Sequence, residues 1–334
     1  MKITVLGSGG WGTALALLLV DNGHDVTLWS HNPQRCALLE QTGENPRLPG
    51  VPLPKALKLC ADMESLGKSE LVVMATPSFA VRETARAAAP RLAPGCVLVS
   101  AAKGVERDTA RRMTEILEEE TGHPAAALSG PSHAEEVGRG VPTGCVAAAR
   151  DPELARLVQD VFMSPRFRVY TNEDVVGVEL GAALKNVLAL CCGISDGMGL
   201  GDNTKALLMT RGMTEMARLG VAMGGHKETF AGLSGMGDLI VTCTSMHSRN
   251  RRCGILIGQG KSVQAAMDEV GAVVEGYYAA FSAHQLAGKA GVEMPICQSA
   301  YRVLYEGQPV RDVVESLMNR NKRREVDESW VGSL

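Results

Sequence analysis

Gly7-Ser8-Gly9-Gly10-Trp11-Gly12 satisfies G-x-G-x-x-G, directly after the run Ile3-Thr4-Val5-Leu6 and directly before the helix former Thr13-Ala14-Leu15-Ala16-Leu17. In that setting Gly7 permits the turn, Gly9 lets a pyrophosphate approach the backbone, and Gly12 packs helix on strand while the helix N-terminus faces the negative charge. The expected ligand is a dinucleotide. An Asp or Glu at the end of the second strand normally accepts hydrogen bonds from the adenosine ribose 2′-hydroxyl. This second strand ends at Trp29-Ser30-His31-Asn32, with Asp25 before it and no acid after it. His31 and Arg35 can instead face a 2′-phosphate, which favours NADP(H), or use of both NADP(H) and NAD(H).

Other charged residues stand alone in apolar or glycine-rich sequence. Lys103 follows the strand Val97-Leu98-Val99-Ser100 and precedes Gly104, so it sits at the carboxyl end of a strand, where open α/β sheets bind their ligands. Lys185 lies within Leu180-Gly181-Ala182-Ala183-Leu184-Lys185-Asn186-Val187-Leu188, a helix so apolar that the lysine either snorkels or functions. Asp238 in Gly235-Met236-Gly237-Asp238-Leu239 is equally isolated. Ser248-Arg249-Asn250-Arg251-Arg252 opens a helix and joins donor side chains to a positive helix end, a natural receptor for a phosphate dianion.

Three other patterns fail on context. Gly193-Ile194-Ser195-Asp196-Gly197 has the G-x-S-x-G form but follows a helix rather than a strand, so it reads as a helix-ending loop. Gly258-Gln259-Gly260-Lys261-Ser262 lacks the glycine that a phosphate-binding loop needs at position 255, where Ile255 stands. The seven histidines show no metal-ligand spacing, and no metal site is expected.

These groups need a scaffold of two domains, and 334 residues suffice for that. Short β-branched runs at 3–6, 26–29, 71–75, 96–101, 125–129, 145–149 and 167–170 alternate with helical stretches at 10–22, 33–41, 79–89, 106–120 and 152–162. The expected first domain, residues 1–172, is an α/β Rossmann-type domain with a mostly parallel sheet and helices on both faces. The proline-rich stretch 46–54 is a loop. Beyond it, 174–192, 203–223, 249–258, 262–268, 275–289 and 298–318 favour helix, so residues 173–334 form an all-α domain. The charge run 320–325 reads as a solvated, frayed tail.

The net charge of -3 supplies no global basic field, which argues against a nucleic-acid partner. No uncharged apolar run reaches the roughly 18 residues of a membrane span. Nine scattered cysteines without a C-x-x-C pair, and a start that enters a strand with no apolar leader, lead to the expectation of reduced thiols in the cytoplasm.

Together these segments resemble NAD(P)-dependent glycerol-3-phosphate dehydrogenase of the bacterial type. The resemblance rests on Gly7 to Ala16, Ala102-Lys103-Gly104, Ser129-Gly130-Pro131-Ser132-His133-Ala134, Leu184-Lys185-Asn186, Gly235-Met236-Gly237-Asp238-Leu239, Thr242-Cys243-Thr244, Ser248-Arg249-Asn250-Arg251 and Val274-Glu275-Gly276. It implies that Gly10, Trp11, His31, Lys103, Ala134, Arg249, Val273 and Glu275 contact the dinucleotide beside Gly7, Gly9 and Gly12. It also implies that Lys103, Gly130, Ser132, Lys185, Asp238, Ser248, Arg249 and Asn250 hold a phosphorylated small-molecule substrate. His133 departs from the pattern, where an aromatic residue such as Phe is expected.

The resemblance implies interconversion of dihydroxyacetone phosphate and sn-glycerol 3-phosphate, feeding glycerophospholipid synthesis, with Lys185 as the proton-transfer group and Lys103 and Asp238 beside it in the catalytic set. Hydride addition to the C2 carbonyl leaves an alkoxide that needs a proton and a nearby positive charge, and a lysine supplies both. An ordinary lysine pKa of about 10.4 must fall for work as a base, through burial or a cation such as Lys103. Asp238 would oppose that fall or orient the ammonium. A reductase for another small hydroxy or keto acid shares the architecture but has no use for the Ser248–Arg251 cluster. A noncatalytic dinucleotide sensor has no use for Lys185. A helical second domain also suits a homodimer.

Overall fold

The computed structural model describes residues 1–322, 324 and 325. Two compact units appear, one made of Met1–Lys103 with Arg111–Val175 and the other of Gly104–Ala110 with the chain from Val176 onward. The single division expected at residue 172 is thus interrupted by a short segment, 104–110, that belongs to the helical unit.

The first unit has eight strands: β1 (Lys2–Leu6), β2 (Asp25–Trp29), β3 (Lys58–Cys60), β4 (Leu71–Met74), β5 (Val97–Ser100), β6 (Ala125–Ser129), β7 (Thr143–Ala148) and β8 (Phe167–Asn172). Its helices are α1 (Gly10–Asp21), α2 (Pro33–Thr42), α3 (Val81–Ala88), α4 (Met113–Thr121), α5 (Ala134–Gly138) and α6 (Pro152–Phe162). The strands form one sheet in the order β3-β2-β1-β4-β5-β6-β7-β8. All neighbours are parallel except β6 and β7, where Leu128 faces Ala147 in antiparallel register. Both faces are covered, and strand periodicity divides the core accordingly. Ile3, Val5, Leu71, Val73 and Val99 pack with Leu15, Leu19, Val158 and Phe162 from α1 and α6. Leu6, Val72, Met74 and Leu98 turn to the other face and meet Val81, Ala85, Ile116 and Leu117 from α3 and α4.

Strand order reverses at β1 and β4, and the glycine loop leaves β1 at that switch point. β3 is an eighth strand absent from the sequence reading, and α5 an additional helix. The helix expected over 106–120 begins only at Met113. Asp108 (φ 72°) and Ala110 (φ 61°) adopt left-handed conformations that no helix tolerates, and a hydrogen bond from the Arg112 backbone N–H to Glu115 marks the true start.

The second unit is helical: α7 (Val175–Gly197), α8 (Gly201–Ala222), α9 (Lys227–Ala231), a π-helical turn (Leu233–Gly237), α10 (Asp238–Thr244), α11 (Arg249–Gly258), α12 (Val263–Val270), α13 (Glu275–Ala290), α14 (Pro295–Tyr305) and α15 (Val310–Met318). The single helix expected over 298–318 is two, because Gly307 (φ 67°) and Pro309 separate α14 from α15. Segment 104–110 joins this unit through Val105, buried in its core, whose carbonyl accepts from Ser282. The Arg107 guanidinium lies 4.2 Å from the Phe281 ring centroid.

α7 is the one helix among the described residues long and apolar enough to cross a membrane, and 89% of its most apolar window is buried. It is the core of the unit. It also runs through Ser195, so the expected helix-ending loop is continuous helix. Its last two glycines serve contact with α11. A Cβ on Gly193 or Gly197 would lie 2.1 or 2.2 Å from the Arg251 or Ile255 carbonyl oxygen, and one on Gly254 or Gly258 would meet the Leu190 or Ile194 oxygen at 2.1 or 2.3 Å. Only glycine at these four positions lets the two backbones touch.

Of the expected frayed tail, Arg320 pairs with Glu293 at 3.6 Å and the Glu325 carbonyl accepts from Arg211 at 2.9 Å. The described residues of this stretch are all exposed, as a solvated run should be, and these two contacts tie it to the helices. Arg323, and residues 326–334 of the expected second domain, lie outside the described residues.

Gly193→Ala should lower stability by about 3 kcal/mol through overpacking against the Arg251 carbonyl. Gly288→Ala, in α13 with nothing near its missing Cβ, should raise stability by about 0.5–1 kcal/mol. Denaturant midpoints moving in the same direction for both would refute the close-crossing account.

Glu215 on α8 caps α14 by accepting from the Ile296 and Cys297 backbone N–H groups at 2.8 and 3.1 Å. Burial pushes its carboxyl from 4.5 up to about 7. The folded chain therefore keeps a proton that the unfolded chain has lost, and stability should fall by about 3 kcal/mol as pH rises from about 4.5 to about 7. Glu215→Gln should remove that part of the slope in urea unfolding measured at a series of pH values.

Candidate functional site

The residues singled out from sequence fall into two groups, one in each unit. In the first, Gly7 (φ +122°) turns where a Cβ would lie 2.8 Å from the Ala75 oxygen. Gly12 comes closer still to the Gly7 oxygen, 1.9 Å for a Cβ, so the helix starts hard against the strand end. Gly9 precedes α1 and has nothing within 4 Å of its missing Cβ, which leaves space at the helix N-terminus for a pyrophosphate. Gly10 backs onto the Arg47 carbonyl. Asn45, from the chain just before the proline-rich loop, donates to the Ser8 carbonyl at 3.2 Å and the Thr13 hydroxyl at 2.6 Å, and so braces the loop from beneath. The donor set and shape fit a dinucleotide.

The Trp11 indole N–H donates to the Ala101 carbonyl at 3.2 Å, and Lys103 Nζ lies 5.9 Å from the Trp11 ring centroid. Lys103 donates to the Gly130 carbonyl at 2.9 Å and to the Ser132 hydroxyl at 3.3 Å. Gly130 (φ +148°) passes so close to β7 that a Cβ would sit 2.9 Å from the Cys145 Cα. Ser132 is buried and donates to the Gly130 carbonyl. Lys103, Gly130 and Ser132 thus form one polar group beside Trp11. Ala134 opens α5, and the carbonyl of His133 accepts from Val137 at 3.0 Å, so histidine is accommodated at the start of that helix. His31 is exposed after β2, near Trp29, while Asn32 caps α2 by accepting from the Arg35 backbone. Asp25 stands at the other end of β2 and pairs with Lys58.

In the helical unit, Lys185 is 5% exposed and Asp238 is 1% exposed. The ammonium donates to Asp238 Oδ1 at 2.6 Å and to Thr242 Oγ1 at 2.8 Å. Thr242, one turn on from Asp238 in α10, donates in turn to the Asp238 carbonyl at 2.6 Å. A lysine buried on an apolar helix is thereby paired and oriented rather than snorkelling. Beside it on α7, Asn186 accepts from Asn250 Nδ2 at 2.8 Å, and Asn250 Oδ1 accepts from the Gly276 backbone N–H at 2.9 Å. One N–H of Asn250 stays uncommitted among the described residues.

Ser248 caps α11 by accepting from the Arg251 backbone at 3.2 Å, and its own O–H remains available. Arg249, the first residue of α11, is exposed and has no hydrogen bond or ion pair among the described residues. Arg251, counted with the phosphate receptor on sequence, is occupied otherwise. Its Nε and Nη2 hold Asp196 at 2.8 and 2.7 Å, tying α11 to α7. Glu275 opens α13 immediately after Val273 and Val274. Among the described residues no cluster of His, Cys, Asp or Glu could hold a metal ion.

Asn186 and Thr242 were not among the candidate site residues. Their signal was present, since Asn186 adjoins Lys185 and Thr242 follows Asp238 at the i+4 spacing that shares a helix face. Asn45 had none, lying in a loop whose partner is far along the chain.

A phosphate-cradling glycine loop at a sheet switch point, joined in one chain to a buried and paired lysine among uncommitted hydrogen-bond donors, defines a nicotinamide-dinucleotide-dependent dehydrogenase. The profile described as NAD-dependent glycerol-3-phosphate dehydrogenase N-terminus matches residues 2–155, and that of the C-terminus matches residues 174–315. The chain belongs to this family. It is 56% identical over 328 residues to glycerol-3-phosphate dehydrogenase (NAD(P)+) of Moorella thermoacetica, covering 98% of each chain. A crystal structure of glycerol-3-phosphate dehydrogenase from Coxiella burnetii superposes with a TM-score of 0.92 at 39% identity, over 96% of this chain and 99% of that one. A ketopantoate reductase from Ralstonia eutropha, 17% identical with a TM-score of 0.63 over 96% of this chain and all of that one, shares the fold alone.

Asp238→Ala leaves the Lys185 ammonium buried without its carboxylate and should cost about 3–5 kcal/mol. Asp238→Leu combined with Lys185→Met should cost clearly less than Asp238→Ala alone, by urea unfolding at neutral pH. Equal losses would show that the pairing contributes little.

Proposed function

We propose that this protein interconverts dihydroxyacetone phosphate and sn-glycerol 3-phosphate with a nicotinamide dinucleotide, and that the product serves glycerophospholipid synthesis in the cytoplasm. The observation that carries the reading is the buried Lys185, held by Asp238 and Thr242, with the start of α11 nearby in the same unit. When bound, the reduced nicotinamide supplies the hydride. Lys185 delivers the proton to the C2 oxygen and stabilises charge that develops there. Asp238 and Thr242 fix its Nζ, so that the proton is delivered from a held position in the direction of reduction. Arg249, the Ser248 hydroxyl and the free N–H of Asn250 receive the substrate phosphate, whose remote binding energy orients the carbonyl. Lys103, Gly130 and Ser132 complete the substrate contacts. Gly7, Gly9, Gly10, Trp11 and Gly12 cradle the dinucleotide, with His31 at the adenosine ribose and Ala134, Val273 and Glu275 as further contacts.

Lys185→Met should reduce turnover by roughly two to four orders of magnitude while dinucleotide binding stays near normal. Arg249→Ala should lower kcat/KM for dihydroxyacetone phosphate by at least about tenfold at saturating NADPH, and far less for unphosphorylated dihydroxyacetone. A panel of 2-keto acids should be turned over poorly. Equal proportional losses on Arg249→Ala, or a preferred 2-keto acid, would redirect the assignment to another substrate.

The chain should use NADPH at least as well as NADH, since no acid follows β2 to repel a 2′-phosphate. His31→Asp should shift the kcat/KM ratio toward NADH. A wild-type protein using NADH far better than NADPH would contradict this.

A further inference from the structure

The helical unit holds a cavity of about 670 Å³ between α7, α8, α14, α15 and the described end of the chain. Its size is that of a small-molecule site, for which pockets of roughly 300–1,000 Å³ are usual. It lies farther along α7 than the lysine site, because the residue of α7 on its wall that comes nearest in sequence, Cys191, is six residues, about 9 Å of helix, beyond Lys185, and Ser195 is a further turn on. The lining is mostly apolar, with Ile194, Leu200, Leu207, Val303, Val313 and Met318 contributing. Leu200, Leu207 and Met318 are also exposed, Met318 at 70%, so the cavity opens to solvent through an apolar mouth.

Two polar features depart from that background. The charged side chains lining the cavity are Arg211, Arg218, Arg320 and Arg324 against Glu215 and Glu325. Arg320 also faces Glu293 at 3.6 Å, and Arg211 and Arg218 each donate to a backbone carbonyl, of Glu325 and Glu293, which is a neutral acceptor, so cations still predominate. Glu215 is committed to the α14 backbone and, through burial, holds a proton into the neutral range, which reduces its opposition to an anion further. Second, the Ser195 hydroxyl is buried, lines the cavity and has no hydrogen-bond partner among the described residues. A buried hydroxyl without a partner costs free energy that an occupant's polar atom would recover.

We propose that this cavity binds an anionic amphiphile: an aliphatic chain lies along the apolar walls, and its carboxylate or phosphate head is held by the arginines. The charge balance selects the sign of the head, and the volume and lining select a single aliphatic tail.

The test is isothermal titration calorimetry of the full-length protein with dodecanoate, dodecyl phosphate, dodecan-1-ol and dodecyltrimethylammonium, all below micellar concentrations. Dodecanoate or dodecyl phosphate should saturate one site per chain, with dodecyltrimethylammonium at least about tenfold weaker. Ala206→Trp, at an exposed position of α8 on the cavity wall, should weaken both anions by about tenfold or more without changing thermal unfolding. Arg320→Glu combined with Arg324→Glu should weaken the anions by a similar factor and leave the alcohol unchanged. Lack of saturable binding, equal affinity for the cationic amphiphile, or indifference to both variants would overturn the proposal. So would a dimer, seen by sedimentation, that Ala206→Trp dissociates in a protein with no amphiphile affinity, because the mouth would then belong to a second copy of the chain.

Discussion

The backbone contact between α7 and α11 is the constraint on which the helical unit depends. Four glycines, two on each helix, reduce the separation until carbonyl oxygens stand where a methyl group would have to be. The close crossing positions the start of α11, so Asn250 reaches Asn186 on α7. Gly276 repeats the device at the start of α13, where a Cβ would lie 2.6 Å from the Asn186 oxygen, and its N–H is held by Asn250. Three helix segments therefore meet on one pair of asparagines. Larger residues at the crossing would spread these groups before any catalytic side chain had changed.

The same economy of side-chain volume explains how a charge survives in an apolar core. Gly181 passes the π-helical turn so closely that a Cβ would lie 2.8 Å from the Ser234 oxygen. That turn runs directly into Asp238, the carboxylate that Lys185 needs to be buried as an ammonium. Polar preorganisation and backbone packing are thus joined, because the carboxylate that makes the lysine's burial tolerable also aims its nitrogen.

How much of this is legible in the residues depends on where the determining interaction lies. The glycine loop is legible because each glycine answers a local demand, a turn or a close approach, at a spacing set by the strand-to-helix junction. The isolated Lys185 and Asp238 are legible as misfits in apolar sequence, and their motifs carry the family resemblance, although nothing local says that they pair. β3 escapes notice because three residues are too few for periodicity to show, and its strand character comes from the edge of β2. The stretch after Lys103 reads as helix by composition, yet Asp108 and Ala110 are left-handed there and the carbonyl of Val105 is held by Ser282, far along the chain. Ser195 reads as loop because glycine on both sides is the usual sign of one, whereas those glycines answer to another helix. Arg251 resembles its neighbour Arg249 in sequence and differs wholly in employment, since only one of them finds Asp196.

The loan of residues 104–110 to the helical unit bears on how such a chain can recombine in evolution. A block exchanged at the apparent boundary after β8 would carry every long helix and leave behind Val105, which sits in their core, and Arg107, which lies against Phe281. The incoming block would meet a loop selected for different neighbours, one residue beyond Lys103. Shuffling at the linear boundary is thus penalised at a distant junction, so the two units are expected to be inherited as a matched pair despite looking like separable modules.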